Sequence, residues 1–141
     1  MIPVGTRPFG VTVDRDTRNA YTANVGSDDV SVIDMATLTV RATVKVEHHP
    51  YAVALAGRRA FVTNQSSSTV TVFDTDTLAV VKTIEVGDTP EGIEADPDGR
   101  YVYVACWFDN TLEQIDTETL EVTAKVKTGG DGPRAFGQFL R

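Results

Sequence analysis

Apolar and β-branched residues fall along this chain in short runs separated by polar turns, with no stretch in which they recur every three or four positions. Between residues 50 and 86 the runs are Tyr51 to Leu55, Arg59 to Asn64, Thr69 to Asp74 and Val80 to Val86. Such runs of five to seven residues, bounded by turn residues, predict strands and not helices. Asp96-Pro97-Asp98-Gly99 supplies a proline-set dihedral and a glycine for positive φ, while Gly26-Ser27-Asp28 and Ser66-Ser67-Ser68 make polar loops.

The group of four runs is itself repeated. Val4-Gly5-Thr6-Arg7-Pro8-Phe9-Gly10-Val11 returns as Val46-Glu47-His48-His49-Pro50-Tyr51-Ala52-Val53 and again as Val86-Gly87-Asp88-Thr89-Pro90-Glu91-Gly92-Ile93. A fourth start lies at Gly132-Pro133-Arg134-Ala135-Phe136, and the four prolines are 42, 40 and 43 residues apart. Four antiparallel strands in a period of about 42 residues make one propeller blade. The sequence therefore predicts an all-β chain of three four-stranded blades, at about 8–46, 50–86 and 90–127. A lone first strand of a fourth blade is expected at about 133–140. Blades are pressed between neighbours, so Val11 and Val13, Val53 and Leu55, Val30 and Ile33, Val70 and Phe73, and Leu112 and Ile115 are expected to be buried.

Each period carries Asp-x-x-Thr-Leu: Asp34 to Leu38, Asp74 to Leu78 and Asp116 to Leu120. Three evenly spaced aspartates suggest a ring of carboxylates. A turn device is the better reading, because each carboxylate can accept backbone N–H groups two and three residues ahead, and every period needs that turn.

The second runs Tyr21-Thr22-Ala23-Asn24, Phe61-Val62-Thr63-Asn64 and Tyr103-Val104-Ala105-Cys106 resemble the tetrapeptide of the YVTN β-propeller repeats. The preceding Val-Gly-x-x-Pro and the following Asp-Thr-x-Thr-Leu extend the resemblance over nearly the whole chain. It implies the propeller fold, in company with surface-layer-like proteins, lactonases and amine-dehydrogenase heavy subunits, and by analogy an extracytoplasmic setting. Closed propellers have four to eight blades, so three blades predict an open arc. It reads as the C-terminal part of a larger ring, or alternatively as a chain that completes its ring by homo-oligomerisation.

Composition narrows the partners. The chain has 141 residues, 20 acidic against 13 basic, a net charge of −7 and 41% apolar content. That content supports a core, and the charge disfavours nucleic acid and anionic lipid. The longest apolar runs are far below the ~20 residues of a membrane-spanning helix. Ile2-Pro3-Val4-Gly5 after Met1 shows no signal-peptide pattern. One cysteine, Cys106, excludes an internal disulfide and a multi-cysteine metal site.

No catalytic constellation, cofactor or metal site is legible. The loops entering the first strands and those joining second to third strands are expected at one end. They group Arg7, His48, His49, Glu91 and Arg134 with Cys106, Trp107, Phe108 and Asp109 as a ligand or partner surface. Blade three departs most from its siblings: Cys106 stands where Asn24 and Asn64 do, Trp107-Phe108 replaces Val25-Gly26 and Gln65-Ser66, and Gln114 replaces Val32 and Val72. Adjacent histidines seldom share one ion, so His48-His49 read as loop residues, and Cys106 reads as a buried thiol. The function expected is a non-enzymatic binding or scaffold module. The alternative is a propeller enzyme or subunit, lactone hydrolase or amine-dehydrogenase-like, to which Glu91, His48, His49 and Asp109 are placed to contribute a base.

Overall fold

The computed structural model describes Met1 to Arg134; the strand expected at about 133–140 lies almost wholly outside the described residues. Twelve strands follow in order: β1 (Pro8–Asp14), β2 (Asn19–Asn24), β3 (Asp29–Asp34), β4 (Thr39–Lys45), β5 (Pro50–Ala56), β6 (Arg59–Asn64), β7 (Thr69–Asp74), β8 (Val80–Glu85), β9 (Pro90–Ala95), β10 (Tyr101–Cys106), β11 (Thr111–Asp116) and β12 (Glu121–Lys127). They form three antiparallel four-stranded sheets, β1 to β4, β5 to β8 and β9 to β12, each in sequence order. No helix occurs among the described residues.

The Asp-x-x-Thr-Leu segments join third to fourth strands. Asp34 Oδ1 accepts the N–H groups of Ala36 (2.7 Å) and Thr37 (3.0 Å). Asp74 accepts those of Asp76 and Thr77, both at 2.8 Å, and Asp116 those of Glu118 (2.8 Å) and Thr119 (2.9 Å). These bonds hold all three carboxyls below the usual range, because the charged form is the better acceptor. The turn closes with the leucine N–H donating to the aspartate carbonyl, which puts Leu38, Leu78 and Leu120 in the left-handed region at φ 56°, 61° and 57°.

The blades stack through two apolar cores. Tyr21, Ala23, Val30 and Val32 of the first blade meet Val53, Ala60, Val62 and Phe73 of the second, with the Tyr21 and Phe73 rings 5.9 Å apart. Phe61, Val70 and Val72 on the other side of the second blade meet Ile93, Val102, Val104 and Ile115 of the third. Each fully buried valine or phenylalanine contributes about 1.5–3 kcal/mol relative to exposure.

The ends of the arc differ from its middle. Val11 and Val13 are exposed, contrary to the expectation from the repeat, and Leu55 and Leu112 are only half-buried. Val11 is 68% exposed, whereas Val53 and Ile93 at the same position of the next blades are 5% and 8% exposed. At the opposite end Val126 is 60% exposed while its counterparts Val44 and Ile84 are 5% exposed. The strand pattern is the same in every blade; what Val11 and Val126 lack is a neighbouring sheet.

Candidate functional site at the axial mouth

The three inner strands β1, β5 and β9 lie side by side and line an open groove of about 610 Å³. Its wall is mixed, with Val11, Val13, Val53, Leu55 and Ile93 beside Thr12 and Glu94. At one end of it the residue after each proline takes a special position. The β1–β2, β5–β6 and β9–β10 ladders all slip just after the proline, so Phe9-Gly10, Tyr51-Ala52 and Glu91-Gly92 fall in bulges. A bulge re-aims its side chains away from the regular alternation. Gly10 is required at this close approach, since a Cβ there would lie 2.8 Å from the Tyr51 carbonyl oxygen.

Phe9 and Tyr51 line the groove at this end, and Glu91, at the same bulge position of the third period, and Arg134, which follows the fourth proline, lie near enough to Tyr51 for their charges to act on its phenol. The Phe9 and Tyr51 rings are 4.0 Å apart. Glu91 is 3% exposed. Its Oε1 accepts the Gln65 amide at 2.8 Å, and its Oε2 lies 3.3 Å from Arg134 Nε without the alignment of a hydrogen bond. Burial, and then the Glu91 charge, push the Tyr51 phenol up, with Arg134 opposing them. Arg134 is half-exposed and lies over the Trp107 ring at 5.1 Å from its centroid.

Trp107 is half-buried beneath the returning chain. Gly132, at φ 64°, passes so close that a Cβ there would overlap the indole nitrogen. Phe108, with its ring 6.2 Å from that of Trp107, points outward and is exposed.

The remaining candidates hold loops together. The loops expected at one end are indeed bonded there: Val25, Gln65 and Trp107 donate N–H groups to the carbonyls of Arg7, His49 and Thr89 at 2.9 to 3.0 Å. Arg7, His49 and Thr89 are left-handed, with φ of 52°, 54° and 56°. Asp109 Oδ2 accepts the Asp88 N–H at 3.0 Å, as Ser27 and Ser67 accept those of Thr6 and His48 in the sibling blades. That bond, and then Lys125, hold the Asp109 carboxyl below its usual range. Across the blade junction Asp28 accepts the His49 N–H and contacts His48 Nδ1, both at 2.9 Å. Asn110 Oδ1 accepts the Gly132 N–H at 2.6 Å in the corresponding place. His48, His49 and Asp109 thus act as loop clasps. No group of three metal-ligating side chains occurs among the described residues.

Cys106 is fully buried, and its thiol is pushed up to about 12 by burial and then by the Glu113 charge, so at neutral pH it is protonated and a poor nucleophile. Glu113 was not singled out from the sequence. It is buried beside Cys106, accepts Thr111 Oγ1 at 3.4 Å and pairs with Lys125 Nζ at 2.8 Å. The signal was available: Ser31 and Thr71 occupy the sibling positions. Phe9 and Tyr51 were missed because the bulge that turns them toward the mouth is not written in the apolar pattern.

Comparisons with known proteins agree with this architecture. A family model described as lactonase, seven-bladed β-propeller, matches residues 52–138, more than half of the chain. Among solved structures, Kuenenia stuttgartiensis hydrazine synthase superposes with a TM-score of 0.88 at 33% identity, over 95% of this chain and 39% of that one. The chain thus spans well under half the length of that structure. No curated protein matches.

Proposed function

Because the chain belongs to the lactonase family of seven-bladed β-propellers, we propose that it is an arc of a larger ring and acts as a non-enzymatic binding module presenting the Glu91 mouth. The observation that carries this reading is the engagement of every group that sequence placed as a catalytic base. Asp109 binds the Asp88 N–H, His48 contacts Asp28, His49 contacts Ser66, and Glu91 is held by Gln65 and faced by Arg134. A hydrolytic base must be free to take a proton from an attacking water, and each of these side chains already has a polar partner in the loops. The exposed Val11 and Val126 supply the second half of the proposal, since adjoining blades would cover them as they cover Val53 and Val44.

Lactone hydrolysis is the alternative, favoured by the family match. The purified chain is to be incubated with five- and six-membered lactones while pH is followed, and screened in parallel for thermal stabilisation by small molecules. Stabilisation without hydrolysis supports the binding role. Hydrolysis that disappears in Glu91→Gln would overturn it in favour of the enzyme.

A further inference from the structure

Glu91 presents an unusual combination for an inner-strand residue. One carboxylate oxygen is satisfied by Gln65, while the other is buried and accepts no hydrogen bond from the described residues. A buried acceptor left without a donor costs free energy. The nearest cation, Arg134, is stacked on Trp107 and half-exposed, with Nε at 3.3 Å. Tyr51 is close enough to feel both charges, its ring packs against Phe9, and the two rings line the groove together with Val53 and Leu55.

We infer that the mouth is a binding site for a free α-amino acid with an apolar or aromatic side chain; this rests on the binding role proposed above. The ligand would carry its opposite charges on one carbon, at a spacing comparable to the Glu91 and Arg134 pair. Its ammonium donates to Glu91 Oε2 in place of the misaligned Arg134 Nε–H. Its carboxylate receives the guanidinium, whose planar fork suits a carboxylate. One ion pair is thereby exchanged for two. The ammonium lies next to the aromatic pair, where ring faces attract cations, and the side chain enters the groove beside Val53 and Leu55. A ligand with only one of the two charges leaves either Glu91 Oε2 or Arg134 unmatched.

Trp107 is the single tryptophan of the chain and touches Arg134, so it reports on the site directly. The test titrates the full chain with L-phenylalanine, phenethylamine and 3-phenylpropionate while Trp107 emission is followed. L-Phenylalanine is expected to give a saturable change, with each one-charge analogue weaker by at least about ten-fold, the worth of one charge-assisted hydrogen bond. Glu91→Gln, which keeps the amide partner Gln65, and Phe9→Ala, at an exposed ring, are each expected to weaken L-phenylalanine while far-UV dichroism and melting are retained. Equal binding of 3-phenylpropionate, equal binding of phenethylamine, or no saturable response to L-phenylalanine from the folded chain overturns the inference. If other compounds still stabilise the chain without turnover, the binding role survives and only its ligand is wrong.

Discussion

Replacing Lys125 by threonine tests the energetics of the third blade most directly. Glu113 is buried on β11, and its Oε1 is bonded to Lys125 Nζ at 2.8 Å, the partner directly across on β12. In the second blade the same pair of positions holds Thr71 and Thr83, also in register. Lys125→Thr leaves a carboxylate in a site whose other neighbours are Thr111, Cys106 and Asp109. Removing one partner of a buried pair typically costs ~3–5 kcal/mol. Lys125 is itself half-exposed, so water relieves part of this, and about 2 kcal/mol is expected. Glu113→Thr/Lys125→Thr rebuilds the arrangement of the second blade and removes the orphan charge. It should therefore be no less stable than Lys125→Thr alone, and the double-mutant cycle should show a coupling of about 1–2 kcal/mol. Urea unfolding of the four proteins measures this. The charge-burial argument is refuted if Lys125→Thr costs less than about 0.5 kcal/mol, the usual reach of a surface substitution, or if the two changes are additive.

The Asp34, Asp74 and Asp116 carboxyls lie below their unfolded value, so they stabilise the fold above an unfolded pKa of about 3.9, and that contribution disappears as pH falls through the folded pKa. Thermal melting of Asp34→Asn/Asp74→Asn/Asp116→Asn should vary less with pH below about 4 than that of the parent; identical profiles would remove these turns from acid lability. Gly87→Ala puts a Cβ 2.8 Å from Glu113 Oε1 and Asp109 Oδ2 and 2.9 Å from Cys106 Cβ, and an overpacking cost of about 1–3 kcal/mol is expected. Gly130→Ala, with open space around it, is the neutral control in the same denaturation series. Cys106 should resist iodoacetamide at pH 8 in the native protein and react once urea unfolds it, because burial holds the thiol at about 12; rapid native labelling followed by mass spectrometry would contradict that placement.

The repeat made the blades legible because one physical problem recurs in each. A strand pressed between two sheets must be apolar on both faces, and a third-to-fourth-strand turn must satisfy its own N–H groups. Val30, Val70 and Val72 solve the first problem, Asp34, Asp74 and Asp116 the second, and both solutions are written in residue type. The exposure of Val11 was not legible, since its residue type and register match those of Val53 and only the neighbour differs. The left-handed Leu38, Leu78 and Leu120 were not legible either. Leucine carries no local signal for positive φ, and here the capped turn imposes it.

The mouth was half legible for a related reason. Glu91 and Arg134 attract attention as charges, but the placing of Glu91 depends on the bulge after Pro90, which takes a residue out of the two-residue alternation that sequence reading follows. Phe9 and Tyr51 sit at the same position and, being aromatic, pass for core residues. The irregular loop of the third blade acquires a role once these four are placed together. Where the first blade has Val25, the second has Gln65, which donates to Glu91 of the following blade, and the third has Trp107, which receives Arg134 of the next period. The departures along this loop position match changes in the post-proline residue of the succeeding period, amide to carboxylate and indole to guanidinium. Trp107 is thus half-buried by the chain that follows it, while Phe108 stands exposed.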